Sequence, residues 1–322
     1  VHRAALIVNA VAGRRKNLQA LVPRLVQVLE QSGVQVNAAM TTTAGESEAM
    51  ASSAAASGCD VVFACGGDGT VHETLQGLVG TTAALGVVPL GTANVLARNL
   101  GLSVDPVKAL QQQLSFSPRV ISAGEVSYAT NGGEAKRYFT VMAGAGPDGA
   151  LVYRALAGRR SRLGRSVYYT HAMRLFLTRR FPSFRVEYRR RDSGEWEECL
   201  GVSVMSARVA DLGGVFSRLV PGSSLLDTDL ELILVRPPAG IGLPAWFALG
   251  TVGLHTRNPW LQTVRVTEFR CAPLTTTPSI HAEVDGEWIG RLPMSVRLIP
   301  RAIRVLMPKD IGTRYLLAKQ HN

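Results

Sequence analysis

The sequence predicts an N-terminal α/β domain with an open parallel sheet, followed by a mostly antiparallel β-sandwich. Three observations predict it. The first third alternates short apolar runs with amphipathic or alanine-rich stretches, the βαβα order that builds a parallel sheet with helices on both faces. Each of those apolar runs ends in a polar or glycine-rich turn. From about residue 119 the texture changes to short β-type runs separated by turn residues, the pattern of sandwiches and barrels. A length of 322 residues is too great for one average domain and suits two.

Taken in order, Leu6-Ile7-Val8 reads as a strand ending in Asn9-Ala10-Val11-Ala12-Gly13. Leu18, Leu21, Val22, Leu25, Val26 and Leu29 then fall on one face of a helix. Val34-Gln35-Val36 leads to a turn at Thr41 through Glu46, and the alanine-rich stretch 47–57 reads as helix. Val61-Val62-Phe63-Ala64 is a third strand. Leu85-Gly86-Val87-Val88 is a fourth, ending in Pro89-Leu90-Gly91-Thr92-Ala93-Asn94, with a short helix after it. In the second half, β-type runs stand at 120–121, 138–141, 184–188, 200–205, 230–235, 264–266, 280–284, 296–298 and 303–305. Helical insertions are expected at 148–158 and 165–180. The expected domains are 1–122 and 123–307, with a tail, 308–322, that packs back on the first.

The turn after the third strand carries the most information. Cys65-Gly66-Gly67-Asp68-Gly69-Thr70 precedes a run in which Val71, Leu75 and Leu78 fall at helical spacing. Glycines leave no Cβ in the way of a ligand, and the first N–H groups of a helix attract anions. The segment reads as a phosphate cradle, with Asp68 placed to face a metal or a donor hydroxyl. A tight turn with a helix-capping residue is the plainer alternative. Open α/β sheets bind ligands beyond the C-terminal ends of their strands, so the turns at Asn9, Thr41, Asp68 and Thr92 are expected to converge.

Hydrophobic residues make up 46% of the chain, enough for full cores. Longer apolar runs such as 241–254 contain Gly and Pro and fall short of the roughly 18 to 20 residues a membrane helix needs. No transmembrane segment and no signal peptide are expected. The four cysteines are spread without zinc spacing, which fits a reduced, cytoplasmic setting. Net charge is +11, with arginines crowded at 154–191. Three readings account for that: attraction to an anionic membrane, a solvated surface, and nucleic-acid binding, ranked in that order. Nucleic acid comes last because aromatic content is 6% and no recognition signature accompanies the charge.

These motifs carry a resemblance that runs nearly end to end. Gly66-Gly67-Asp68-Gly69-Thr70 with Glu73, Leu90-Gly91-Thr92-Ala93-Asn94, Gly144-Ala145-Gly146-Pro147-Asp148, Gly213-Gly214, Gly253-Leu254-His255-Thr256 and Val284-Asp285-Gly286-Glu287 resemble the diacylglycerol kinase catalytic-domain family of bacterial lipid kinases, related to sphingosine and ceramide kinases. The glycine turn alone is shared with NAD kinases and phosphofructokinases. The resemblance implies a first domain like theirs and ATP-dependent phosphorylation of a lipid hydroxyl in a cleft between two domains. It implies ATP contacts at Asn9, Ala10, Val11, Ala12, Gly13, Thr41, Gly66, Gly67, Asp68, Gly69, Thr70, Val71, His72, Thr92 and Asn94, with Mg²⁺ on the phosphates. Asp285 would be the general base, with Asp68 and Glu287 as further catalytic carboxylates. A structural metal would be held by Ser224, Asp227 and Asp229. On its own, Val-Asp-Gly-Glu reads as a hairpin turn.

The chain departs from the family pattern. Ala10 and Ala12 stand where Pro and Ser are common, and Val95 and Ser122 stand where many members carry Asp. Losing both acids removes negative charge beside Asp68 and loosens the link to diacylglycerol as the lipid. The expected partner is a lipid at an anionic membrane surface, approached peripherally from the cytoplasm, with 241–249 as an apolar docking stretch; a homodimer stays open. The alternatives are a non-catalytic lipid- or nucleotide-binding protein of the same fold, and a soluble-metabolite kinase.

Overall fold

The computed structural model describes residues 1–10, 18–130, 132–147, 181–212, 220, 222–238, 249, 259–274 and 280–312. The chain divides into two compact units, Val1–Ala123 with Ile299–Asn322, and Gly124–Leu298. Each has its own core.

In the first unit, β1 (Arg3–Asn9), β2 (Gln35–Thr41), β3 (Val61–Gly66) and β4 (Ala84–Pro89) form a parallel sheet in the order β2-β1-β3-β4. The end of β15 (Met294–Met307) adds in parallel beside β4, pairing Arg304 with Ala84. All six residues of β3 and of β4 are buried, as expected of strands covered on both faces. Helix α1 (Leu18–Glu30) buries Leu21, Leu25 and Leu29, one stripe at a spacing of four. That stripe packs with Leu6, Val8, Phe63 and Val88 in the core. Helices α2 (Glu46–Ala56), α3 (Asp68–Leu78) and α4 (Val95–Asn99) follow the second, third and fourth strands.

Helix α5 (Pro106–Gln113) is an addition to the sequence reading. Asp105 accepts from Val107 N and Lys108 N, and Pro106 opens the first turn. An Asp cap followed by Pro is a start signal. Gln113, on its last turn, bonds both the N–H and the C=O of Val87.

The second unit is antiparallel. Its strands β7 (Met142–Ala145), β10 (Ser203–Ala207), β11 (Leu230–Val235), β12 (Leu261–Pro273), β13 (His281–Val284) and β14 (Glu287–Arg291) run in the order β14-β13-β7-β10-β11-β12. Strand β8 (Phe184–Arg190) pairs with β12 and with β9 (Trp196–Gly201), and β5 (Ser117–Thr130) pairs with β6 (Gly133–Phe139). Phe139, Phe184, Tyr188, Leu232, Phe269 and Val284 lie in its core. This α/β plus β-sandwich build is the predicted fold class.

One expected strand is corrected. The run 200–205 is two strands. Leu200 and Gly201 end β9, and Ser203 begins β10. Val202 N donates to Val235 O at the break. The two halves have different neighbours: β9 pairs with β8, and β10 sits between β7 and β11. The expected helices at 148–158 and 165–180 lie outside the described residues.

Candidate active site

In the first unit the turns after β1 to β4 are tied together. A 2-1-3-4 sheet reverses its winding between β1 and β3, the place where such sheets hold ligands. Asn9 Nδ2, at the end of β1, donates to Thr70 Oγ1 on α3 at 3.0 Å. Ala10 N donates to Thr41 O at 3.0 Å. Gly45 N donates to Glu73 Oε1 at 3.0 Å. Asp68 Oδ2 accepts from Asn94 N at 2.9 Å, and Oδ1 from Val95 N at 2.6 Å. Four strand ends thus share one hydrogen-bonded surface.

Asp68 therefore caps α4, the helix after the next strand. The 91–94 turn beside it is closed by Asn94, whose Oδ1 accepts from Gly91 N and whose Nδ2 donates to Gly91 O. Asn94 has φ +47°, a left-handed conformation that Asn tolerates better than most residues.

The glycines divide by role. A Cβ on Gly66 would meet Thr70 Oγ1 at 2.2 Å, and one on Gly91 would meet Gly67 Cα at 2.6 Å. Both are glycine because protein atoms leave no room. Gly67 differs: its φ is −89° and a Cβ would stand 3.4 Å from Gly91 Cα, ordinary contact. The fold itself leaves room for a side chain there.

Of the predicted cradle, Gly67, Asp68, Gly69, Asn9, Ala10 and Asn94 are half-buried and Thr92 is exposed, so a ligand can reach them. Thr41, Gly66, Thr70, Val71 and His72 are buried and lie beneath that surface. Val11, Ala12 and Gly13 lie outside the described residues.

In the second unit, Asp285 and Gly286 form the two-residue link between β13 and β14. Their φ values are +47° and +83°, both positive as in the favoured hairpin turn for Asp-Gly. The plain hairpin reading of this motif is thus correct as geometry. The side chain does more. Asp285 Oδ1 accepts from Val141 N and Met142 N, each at 2.9 Å, and Oδ2 accepts from Thr140 N at 3.2 Å. Asp285 N donates to Met142 O. Glu287 is half-buried at the start of β14, paired with Val284.

Two residues here escaped the sequence reading. Glu283 is 1% exposed, and its Oε2 accepts from Gly286 N across the turn. Arg208 is also 1% exposed. Its Nη2 donates to Leu225 O, and its backbone N donates to Val141 O. Burial pulls its guanidinium down to about 10, against the attraction of Asp227, Asp285 and Asp229. No motif marks either position: Glu283 sits inside the apolar run of β13, and Arg208 directly follows β10.

Ser224, Asp227 and Asp229 do come together, but they do not fit a metal ion. Asp227 Oδ2 accepts from Ser224 N at 2.9 Å and from Arg265 Nη1 at 3.1 Å. Asp229 Oδ1 accepts from Arg265 Nη1 at 2.7 Å and Oδ2 from Arg191 Nη1 at 2.8 Å. Ser224 O already accepts from Asp227 N. A divalent ion would have to sit against guanidinium groups of like charge. Among the described residues no group of His, Cys, Asp and Glu has the arrangement of a metal site.

The arginine run also changes meaning where it is described. Arg185 pairs with Glu198, Arg189 with Glu268, Arg190 with Asp192 and Glu197, and Arg191 with Asp229. These charges are matched within the fold. Arginines 154–180 and the apolar stretch 241–248 lie outside the described residues. Among the described residues no helix is long and apolar enough to cross a membrane.

Residues 3–126 match the diacylglycerol kinase catalytic domain, and residues 141–307 match the YegS C-terminal NAD kinase beta sandwich-like domain. A protein named diacylglycerol kinase from Bacillus subtilis (strain 168) is 29% identical over 311 residues, covering 96% of this chain and 97% of that one. Another of that name from Staphylococcus aureus (strain bovine RF122 / ET3-1) is 27% identical over 321 residues, covering 99% and 96%. The crystal structure of a diacylglycerol kinase from Bacillus anthracis str. Sterne superposes with a TM-score of 0.69 at 18% identity, covering 96% of this chain and 98% of that one. At that identity the likeness is one of fold.

Proposed function

The chain belongs to the diacylglycerol kinase catalytic-domain family of phosphotransferases, and we propose that it moves the γ-phosphoryl group of ATP to a hydroxyl of a lipid. The observation that carries this reading is the stitched surface at the strand ends of the first unit, with Asp68 and Gly67 reachable in its middle.

The phosphates would lie against the first turn of α3, whose N–H groups at Asp68, Gly69 and Thr70 have no carbonyl of their own helix to bind. Gly67 lets the backbone come close to them, and Thr92 and Asn94 would flank the nucleotide. Asp68 would hold Mg²⁺ here, because a carboxylate has lone pairs beyond the N–H bonds it accepts from Asn94 and Val95. One carboxylate suffices beside nucleotide phosphates and water, so the loss of acids at Val95 and Ser122 is compatible with the fit. Bound Mg²⁺ neutralises charge on the transferring phosphate.

Asp285 would take the proton of the attacking hydroxyl. As the oxygen bonds to the γ-phosphorus, the bond to ADP breaks and the proton passes to the carboxylate. The N–H groups of Thr140, Val141 and Met142 hold the carboxyl in one orientation, which is what a positioned base requires. The lipid would be met at a cytoplasmic membrane surface. Because Arg185, Arg189, Arg190 and Arg191 are paired with carboxylates, attraction to anionic lipid by the arginine run would rest on residues 154–180.

The test is a labelling experiment. Purified protein is given γ-labelled ATP with a panel of lipid extracts, diacylglycerol, sphingoid bases and soluble metabolites. Label in a lipid, dependent on ATP and Mg²⁺, is the expected result. Label only in a soluble metabolite, or in nothing, overturns the lipid assignment.

A further inference from the structure

We propose that Arg265 does in this chain the work of a bound cation, its guanidinium holding together the acidic segment that ends the loop before β11. The segment carries Asp227, Asp229 and Glu231. Arg265 stands on the neighbouring strand β12, directly across from Glu231. Its Nη1 reaches Asp227 Oδ2 and Asp229 Oδ1 at 3.1 and 2.7 Å, and its Nε pairs with Glu231 Oε2. Its Nη2 donates to Gly222 O at 3.1 Å. One planar fork therefore binds three carboxylates and a carbonyl, a spread of donors that only arginine offers.

Burial works against the charge, and Glu231, Asp229 and Asp227 overcome it, so the guanidinium is held above its ordinary range. The side chains are well shielded: Asp227, Asp229 and Glu231 are 14%, 12% and 17% exposed. Shielded carboxylates need a partner far more than surface ones do. Arg191 adds a second cation from outside, through Asp229 Oδ2 and Thr228 Oγ1. A Mg²⁺ ion needs oxygen ligands at about 2.0–2.1 Å in an octahedron. An ion there would stand against the guanidinium groups of Arg265 and Arg191, which already neutralise these carboxylates.

The segment is worth holding. Leu225 O, two residues before Asp227, is the acceptor for buried Arg208, whose backbone N donates to Val141 O. Val141 N in turn holds Asp285. The clamp lies at the base of that hydrogen-bond chain.

The experiment is thermal unfolding without nucleotide, in EDTA and in Mg²⁺, Mn²⁺ or Ca²⁺, for the parent and for Arg265→Gln and Arg265→Ala. The parent is expected to melt at the same temperature in every condition. Arg265→Gln should melt lower by about 6–20 °C, the cost of leaving shielded charges unpaired. Arg265→Ala, with its carboxylates released, should regain part of that loss on adding a divalent cation. A parent that melts lower in EDTA and recovers with Mg²⁺ overturns the proposal, as does an Arg265→Gln that melts like the parent. If neither variant can be purified, the parent's response to chelation decides alone.

Discussion

Asp285→Asn separates a base from a turn residue. Asparagine accepts φ +47° readily, so the hairpin keeps its geometry. With its oxygen in place of Oδ1, the side chain keeps the N–H bonds from Val141 and Met142. The new NH₂ group replaces Oδ2, which accepted from Thr140 N at 3.2 Å, and sets donor against donor. One hydrogen bond to a charged acceptor is lost, about 1.5–3 kcal/mol. At about 2–4 °C per kcal/mol the melting temperature should fall by about 3–12 °C, and the protein should still fold. Turnover should fall much further, by about 10²- to 10⁴-fold in kcat, or about 3–5 kcal/mol of barrier. ATP affinity should stay near that of the parent, since the carboxylate acts on the acceptor. The assay is a set of three: melting temperature, ATP dissociation constant and lipid phosphorylation rate. Glu287→Gln, changed in parallel on the strand end, should lose less than about 10-fold in rate if Asp285 is the base. Full activity in Asp285→Asn would refute the reasoning. Collapse of folding together with ATP binding would leave Asp285 as a turn residue only.

Gly67→Val should fold and lose ATP binding, because its Cβ meets only ordinary contact at 3.4 Å from Gly91 while standing where phosphates must approach; Gly66→Ala, with its Cβ 2.2 Å from Thr70, should lose stability instead. Equal ATP affinity in Gly67→Val and the parent, measured by titration, would show the cradle to be misplaced. Asp68→Asn should abolish turnover and weaken Mg-ATP binding, with a melting temperature lowered by loss of a bond to Asn94 or Val95; an unchanged rate contradicts the role given to Asp68. Vesicle binding should rise with anionic lipid and fall with salt, over a screening length of about 8 Å at physiological ionic strength; equal binding to neutral vesicles would return residues 154–180 to a solvated surface. Asp60 is held below the usual carboxylate range by N–H bonds from His2 and Arg3. A depressed folded value means its stabilisation is present above the ordinary carboxylate range and is lost as pH falls through the folded value. Asp60→Asn should therefore flatten the acid limb of the melting-temperature profile, and an identical limb would count against that pairing.

The sequence by itself determined the four parallel strands of the first unit and the helices that follow each of them. Periodicity is local: Leu21, Leu25 and Leu29 mark one helix face wherever α1 packs, and the glycine turn marks the start of α3. It also marked Asp68, Asn94 and Asp285, because turn residues answer to backbone conformation a few residues away. Even the missed helix α5 had its signal in Asp105 and Pro106. Only the tertiary structure decided which partners these residues take. Asp68 caps a helix 26 residues on through Asn94, and Asp285 holds a turn 143 residues before it through Met142. The split of 200–205 into two strands, the burial of Arg208 and the arginine partners of Asp227 and Asp229 have the same origin. Each depends on strands far apart in sequence becoming neighbours. A carboxylate segment reads alike whether a metal or a guanidinium neutralises it; Arg265 enters only once β12 lies beside β11.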